Sequence, residues 1–304
     1  MTLQQIFYAL TVSECGSMNR AAEKLYISQP TLTSAIRSLE NELDIRLFSR
    51  TNQGVKLTAE GMNFLRDARQ IYQQYELLKD RYGEKEKMKQ KFKVSAQHYS
   101  FATKAFVETV KKYGAYEYEL EISETRTMDV INDVGNSIAE VGILYLSDYN
   151  RKYLEKLFRE RGLIFRELVK ASAFVYLYRE HPLAGKSQIS FEDLKDYPNM
   201  GFDQGEGGSL YLSEEILSDN DYPQTIRVND RATMLNLMRG LNGYTLCSGI
   251  ICEELNGSDY VAVPYADDSS NPNVVMEIGY IIKKDSILSD IARDYINELV
   301  KYFE

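Results

Sequence analysis

The chain has 304 residues, enough for about two domains of roughly 150 residues each, and its 44% hydrophobic and 27% charged residues are the balance of a globular protein. Three sparse cysteines (Cys15, Cys247, Cys252) without metal-ligand spacing, two histidines (His98, His181) and no Trp disfavour a disulfide scaffold and a metal site. The start is no signal peptide, no apolar run approaches the ~18 residues of a membrane span, and the cysteines fit reduced thiols of a cytoplasmic chain.

The net charge of −9 divides unevenly. Residues 1–91 carry 14 Lys/Arg and 11 Asp/Glu, a balance of +3, whereas residues 92–304 carry 22 and 34, a balance of −12. The first third therefore suits a polyanion, the plainer reading being chance plus one lysine-rich helix end (Lys85, Lys87, Lys89, Lys91).

Leu3, Ile6, Phe7 and Leu10 recur at helical spacing, with Gly16 as a stop. Ser17 caps a second helix, whose Ala21, Ala22 and Leu25 make a small packing face. After the link Tyr26–Ile27, Ser28 caps a third helix with Pro30 in its first turn, where no intrahelical donor is lost. Leu32, Ile36, Leu39 and Leu43, spaced 4, 3 and 4, form its buried stripe. The opposite face shows Gln29, Thr31, Thr33, Ser34, Arg37 and Ser38, and Arg37 is the only charge between Lys24 and Glu40. Short side chains let a backbone approach the major groove, Gln and Arg make paired bonds to base edges, and an acid would oppose phosphate. For a lone helix a merely solvated face explains as much. Two short helices joined by a three- to four-residue turn, the second capped, predict a helix-turn-helix.

Ile45 to Ala59 carries Arg46, Arg50 and Lys56 as its only charges. Leu47–Phe48 and Val55–Leu57 predict two short strands around Thr51-Asn52-Gln53-Gly54. This is a plain surface hairpin or a wing, with Arg50 and Lys56 beside phosphate or the adjacent minor groove.

At this point Ser17-Met18-Asn19-Arg20-Ala21-Ala22-Glu23-Lys24-Leu25, Ile27-Ser28-Gln29-Pro30-Thr31-Leu32-Thr33, Leu39-Glu40-Asn41-Glu42-Leu43, Leu47-Phe48-Ser49-Arg50 and Gly54-Val55-Lys56-Leu57-Thr58-Ala59-Glu60-Gly61 resemble the LysR-type transcriptional regulators. The likeness runs in order through about sixty residues. It implies that Gln29, Pro30, Thr31, Thr33, Ser34 and Arg37 face DNA and that Arg50 and Lys56 sit on the wing. Ser34 and Ala35 stand where many members carry a basic or long polar residue, and Met18 replaces the usual aromatic.

Phe64, Ala68, Ile71, Tyr75, Leu78 and Tyr82, spaced 4, 3, 4, 3 and 4, repeat as the a/d seam of a coiled coil. A helix of roughly 30 residues reaches about 45 Å. It predicts a dimer through this helix, or else a single helix packed on its own C-terminal domain. The resemblance favours the dimer, and two helix-turn-helix units then meet a palindromic site.

From Phe92 strands alternate with helices, an α/β pattern of mostly parallel pairing. Strands are expected at Phe92–Ala96, Tyr118–Ile122 and Val141–Tyr145, and helices at Ala102–Tyr113 and Thr127–Val134. Elements follow at Ile164–Lys170, Ala173–Tyr178, Met200–Phe202, Ser209–Leu217, Ile226–Val228, Ala232–Arg239, Tyr244–Cys247 and Tyr260–Val263. A strand near Val275–Ile282 and a helix from Asp285 to Phe303, apolar along Ile287, Ile291, Tyr295, Ile296, Leu299 and Phe303, close the chain. The resemblance implies two α/β subdomains of periplasmic-binding-protein type with the chain crossing twice. The expected organisation is thus a winged helix-turn-helix at 1–58, a linker helix at 59–91 and an effector-binding domain at 92–304, with subdomain I at 92–165 plus 267–304 and subdomain II at 166–266.

Ligands in such folds bind beyond the strands' carboxyl ends, near helix N-termini. His98 and Ser100, Arg126 and Thr127, Gly205, and Ser248 fall at such positions, with Arg231 as a further cation. Their hydroxyls and backbone donors can hold a small carboxylate or phosphate, although each Ser or Thr is also an ordinary cap, a lone His is ordinarily structural, and Glu206 would repel an anion. Gly205 to Gly208 lacks the dinucleotide spacing. There is no Gly-x-Ser-x-Gly, His-Glu-x-x-His or P-loop, so no catalytic residues, cofactor or metal are expected. A pure small-molecule carrier would leave residues 1–91 without purpose. The expected protein is a cytoplasmic, ligand-responsive regulator, not an enzyme. Its expected partners are double-stranded promoter DNA, a small effector that can be anionic, and itself as homodimer or tetramer, with RNA polymerase a further candidate and no membrane.

Overall fold

The computed structural model describes residues 1–51, 54–82, 90–114, 117–205, 208–266 and 272–304; the side chains of Arg50 and Tyr82, both named above, lie outside the description. The chain divides into two compact units, Met1–Met88 and Lys89–Glu304. No helix among the described residues is long and apolar enough to cross a membrane.

In the first unit α1 (Leu3–Cys15) starts from a reciprocal cap between Thr2 and Gln5 and stops at Gly16, whose φ of +61° suits a residue without Cβ. Ser17 caps α2 (Met18–Lys24), and Ser28 caps α3 (Gln29–Leu43). Strands β1 (Phe48–Thr51) and β2 (Gly54–Leu57) pair antiparallel, and α4 (Ala59–Tyr82) follows. Ile6, Leu10, Ala21, Ala22, Leu32, Ile36 and Leu39 form the core, joined by Leu47, Leu65 and Ala68. Leu3 and Phe7, expected on the buried side of α1, are exposed; Phe7 instead stacks on Tyr72 at 5.1 Å between ring centres.

A buried carboxylate fixes the wing to α3. Glu40 accepts the backbone N–H of Leu47 at 2.8 Å and of Phe48 at 3.2 Å, and meets Arg46 at 3.3 Å. The α4 backbone closes against the same strand at Gly61, where a Cβ would lie 2.1 Å from the Leu47 carbonyl oxygen. The described part of α4 has 24 residues, about 36 Å at 1.5 Å per residue. Residues 83–89, the expected end of this helix, lie outside the description.

The second unit holds two five-stranded sheets. Its elements are β3 (Gln90–Ala96), α5 (Ser100–Lys112), β4 (Tyr118–Glu124), α6 (Thr127–Gly135), β5 (Val141–Leu146), α7 (Arg151–Arg161), β6 (Leu163–Ser172), β7 (Phe174–Tyr178), α8 (Phe191–Leu194), β8 (Asn199–Phe202), β9 (Thr225–Val228), α9 (Arg231–Leu241), β10 (Tyr244–Cys247), α10 (Glu253–Asn256), β11 (Tyr260–Pro264), β12 (Val275–Lys283) and α11 (Asp290–Phe303). The first sheet runs β4-β3-β5-β12-β6 and the second β11-β7-β10-β8-β9.

Three differences from expectation have physical causes. Pairing is mixed: β4-β3-β5 and β9-β8-β10 are parallel, with α5, α6 and α9 carrying the β3-to-β4, β4-to-β5 and β9-to-β10 connections and an irregular segment joining β8 to β9, while β12, β6, β7 and β11 join antiparallel. The passage between sheets falls after Ser172, not after residue 165, because β6 pairs with β12 from Leu163 to Ser172. The last helix begins at Asp290 behind the Ser289 cap, which leaves Ile287 exposed while Ile291, Tyr295 and Leu299 are buried.

Candidate functional site

The candidate residues gather on two surfaces, one in each unit. In the first, the side of α3 opposite its core stripe presents Gln29, Pro30, Thr31, Ser34 and Arg37 to solvent, with Thr33 half-buried. Ser28 Oγ accepts the Thr31 N–H at 3.2 Å, and Gln29 Nε2 donates to Thr33 Oγ1 at 3.0 Å. These contacts fix the first turn. Among the described residues no ion pair engages Arg37 or Lys56, and Lys56 is exposed on β2 opposite Ser49.

Tyr26 belongs to the link between α2 and α3. It is 96% exposed and adopts φ +55°, in the turn leading into α3. A non-glycine residue in that region carries backbone strain, so its exposed ring marks the turn. The available signal was an aromatic residue where a turn demands Gly or Asn.

The apolar seam of α4 divides. Ala68 is buried and Phe64 half-buried against the core of the same unit. Ile71 (48% exposed), Tyr75 and Leu78 (60% exposed) face solvent within this chain.

In the second unit the chain ends of the parallel strands β3, β8 and β10 converge on a cavity of about 100 Å³. Four of the seven residues proposed from sequence line it: His98, Ser100, Arg231 and Ser248. Arg126, Thr127 and Gly205 stand outside its wall. Arg126 pairs with Asp203, and the Gly205 N–H donates to the same carboxylate at 3.2 Å. Thr127 Oγ1 accepts from Gln97 Nε2 at 2.6 Å and donates to the Leu212 carbonyl at 2.7 Å, while its N–H meets Gln204 Oε1 at 3.1 Å. The helix N-terminal donor suggested for an anion is thus answered by the protein. Ser100 Oγ likewise accepts the Cys252 N–H at 3.0 Å, and Arg231 is held by Glu124 and Asn256.

The sequence reading missed the acidic wall. Ser209–Leu217, taken as a regular element, makes only a short 3₁₀ turn at Leu210–Leu212 before Glu214 and Glu215 turn inward. Glu214 receives the His98 N–H at 2.9 Å and its Nδ1 at 2.8 Å; the imidazole stacks on Phe202 at 3.6 Å. Glu215 accepts the Phe202 N–H at 2.7 Å, yet its Oε2 is the one buried side-chain oxygen among the described residues with no hydrogen-bond partner. Burial and the neighbouring Glu214 push its carboxyl up to about 7. Burial also pushes the Cys247 thiol up to about 11, which suppresses thiolate chemistry at the wall. The pair of residues that builds this wall, His98 and Glu214, is 116 positions apart, so no local pattern announces it.

Comparison with known proteins places both units. The profile described as "Bacterial regulatory helix-turn-helix protein, lysR family" matches residues 3–62, and that of the "LysR substrate binding domain" matches residues 115–304. The chain is 25% identical over 297 residues to YbhD of Escherichia coli (strain K12), an uncharacterized helix-turn-helix-type transcriptional regulator, covering 95% of this chain and 88% of that one. In fold it is similar to a full-length OxyR variant from Pseudomonas aeruginosa (TM-score 0.69, 18% identity, covering 100% of this chain and 94% of that one). It is also similar to full-length CbnR solved with its target DNA (TM-score 0.56, 18% identity, covering 99% of each).

Proposed function

The chain belongs to the LysR family of bacterial helix-turn-helix transcriptional regulators, DNA-binding proteins and not enzymes, and from that premise we propose how its residues work. The exposed face of α3 enters the major groove, with Gln29 and Arg37 reading base edges and Pro30, Thr31, Thr33 and Ser34 allowing close approach. Arg50 and Lys56 on the wing hold phosphate. The observation that carries this reading is the exposed face of α3 from Gln29 to Ser38, which bears no acid and whose Arg37 is in no ion pair among the described residues.

Two copies join through Ile71, Tyr75 and Leu78 of α4, with Phe64 and Ala68 shared with the core of each unit and Tyr82 continuing the repeat. Exposed apolar residues on a 24-residue helix support that pairing. The domains divide at about residues 58 and 91, and the second carries the effector cavity. Binding there shifts the balance between two arrangements of the oligomer by its differential affinity for them. The protein works in the cytoplasm, where its DNA is.

Fluorescence anisotropy of the full-length protein on the DNA upstream of its own gene, against a scrambled duplex and across a salt series, tests the reading. Sequence-selective binding that weakens steeply with salt is expected. Equal affinity for both duplexes at every salt concentration would overturn it.

A further inference from the structure

Resting on the reading of α3 as the DNA-recognition helix, we propose that Tyr26 is a further DNA contact of this chain. Its phenol hydroxyl donates to a backbone phosphate at the edge of the groove that α3 enters, and so sets the depth and register of the helix without reading a base.

The turn that ends α2 asks for a different residue. The Tyr26 N–H donates to the Glu23 carbonyl and the Ile27 N–H to the Ala22 carbonyl, each at 3.1 Å. In such a helix end the first residue outside is left-handed, and it is ordinarily Gly or Asn. Tyr26 fills that place at φ +55°. The other non-glycine residues with positive φ among the described ones have a local reason for it. Asp44, Ser137, Asn242 and Asp285 are short and polar, and Leu217, 3% exposed, is held by the core. Tyr26 has neither reason. It is 96% exposed, and among the described residues its ring stacks on no other ring and its hydroxyl has no hydrogen-bond partner. A bulky side chain that strains its backbone and packs on nothing adds nothing to the fold, so its partner lies outside the chain.

Its position says which partner. From Tyr26 to Thr31 only Ile27 turns inward, against the core of the unit. Tyr26, Ser28, Gln29, Pro30 and Thr31 make one exposed run into the first turn of α3. At most about 7 Å of chain separates Tyr26 from the Ser28 cap. A helix about 10–12 Å across fills a major groove about 12 Å wide. A group that flanks its N-terminal turn therefore meets the phosphates lining the groove and not the base edges. Tyr hydroxyls are among the donors that phosphate takes, and such contacts position a protein on the duplex.

Fluorescence anisotropy of the full-length protein, on the duplex upstream of its own gene and on the scrambled one, tests this with two variants. Tyr26→Phe keeps the ring and the strained turn and removes only the donor. It is expected to weaken binding to both duplexes alike by about tenfold, with their ratio and the thermal midpoint unchanged. Its salt slope stays at the wild-type value, because a neutral phenol displaces no counterion, which separates it from Lys56. Tyr26→Asn places at the turn a residue that tolerates the left-handed region. It is expected to bind at least as weakly as Tyr26→Phe and yet to unfold at a higher temperature, because the strain is gone.

Opposite signs on stability and affinity mark a residue that serves a ligand. Wild-type affinity in both variants overturns the proposal and leaves the ring to a protein partner. A lower midpoint in Tyr26→Asn overturns it as well, since the side chain then holds the turn itself. So does a loss in Tyr26→Phe confined to one duplex, which would make Tyr26 a reader of bases. Equal wild-type affinity for both duplexes at every salt concentration is the separate failure of the regulator reading, and it takes the proposal down with it.

Discussion

Each unit buries a glutamate, and the two could hardly be placed more differently. Glu40 of the first unit accepts two backbone N–H groups and meets Arg46, so α3 and β1 are held at a fixed separation. Glu215 of the second accepts one backbone N–H through Oε1 and leaves Oε2, out of reach of solvent and 3.8 Å from Arg227, without a hydrogen bond. A satisfied buried charge is architecture. An unsatisfied one costs stability once it ionises, so its surroundings hold the proton on.

The contrast can be broken by removing each carboxylate. Glu40→Ala strands two backbone donors and is expected to destabilise the first unit by about 3 kcal/mol, read as a lower denaturation midpoint together with lost DNA binding. An unchanged midpoint would mean that the carboxylate does not organise the wing. Glu215→Gln should act in the opposite direction. The folded carboxyl titrates near 7 against an ordinary 4.5, so the native state holds its proton more tightly than the unfolded chain does. Its stabilising contribution is complete below about 4.5 and fades as pH rises through 7. At pH 8 the glutamine variant is therefore expected to be more stable than wild type by on the order of 2 kcal/mol, with the difference vanishing near pH 4. Parallel melting curves at pH 8 and pH 5 check the sign, and a variant less stable at pH 8 would show that Oε2 has a partner in solution.

Smaller effects sharpen the other side of the comparison, where the proposed DNA contacts are made by groups that hold nothing together. Arg37→Ala is expected to cost specific DNA binding about tenfold, near 1.4 kcal/mol, at unchanged thermal stability. Lys56→Ala should weaken all duplexes alike by less, and reduce the salt slope by about one. If Lys56→Ala altered selectivity as much as affinity, the wing would be reading bases.

The two units also differ in how far their sequence announces them. Caps at Ser17 and Ser28, the stripe Leu32, Ile36 and Leu39, and the paired strands of the wing are all local, and the structure has the caps and stripe in place, while the first wing strand runs three residues further, to Thr51. Tyr26 was overlooked because exposure in a turn depends on which way the turn faces. In the second unit the parallel strands were legible, but not the place of β6, since pairing with β12 joins segments about 110 residues apart. α7 went unread because its Arg- and Lys-rich sequence buries only Leu154 and Phe158. The cavity was half legible: positions after β3 and β10 follow from the rule that ligands sit beyond strand ends. Glu214 and Glu215 sit in an irregular segment that no periodicity marks.

One backbone contact in the first unit has an evolutionary reach. The N–H of Val55 donates to the carbonyl of Gly16 at 3.0 Å, and a Cβ on Gly54, which adopts φ +128°, would lie 2.5 Å from that same oxygen. With Glu40 gripping β1 from the other side, the hairpin is clamped by groups that are indifferent to the side chains it displays. Mutation can therefore exchange the tips that touch a nucleic acid without changing the gap between them. A lineage built on this unit can drift to new operators while the spacing of its grip stays constant, like a caliper refitted with different jaws.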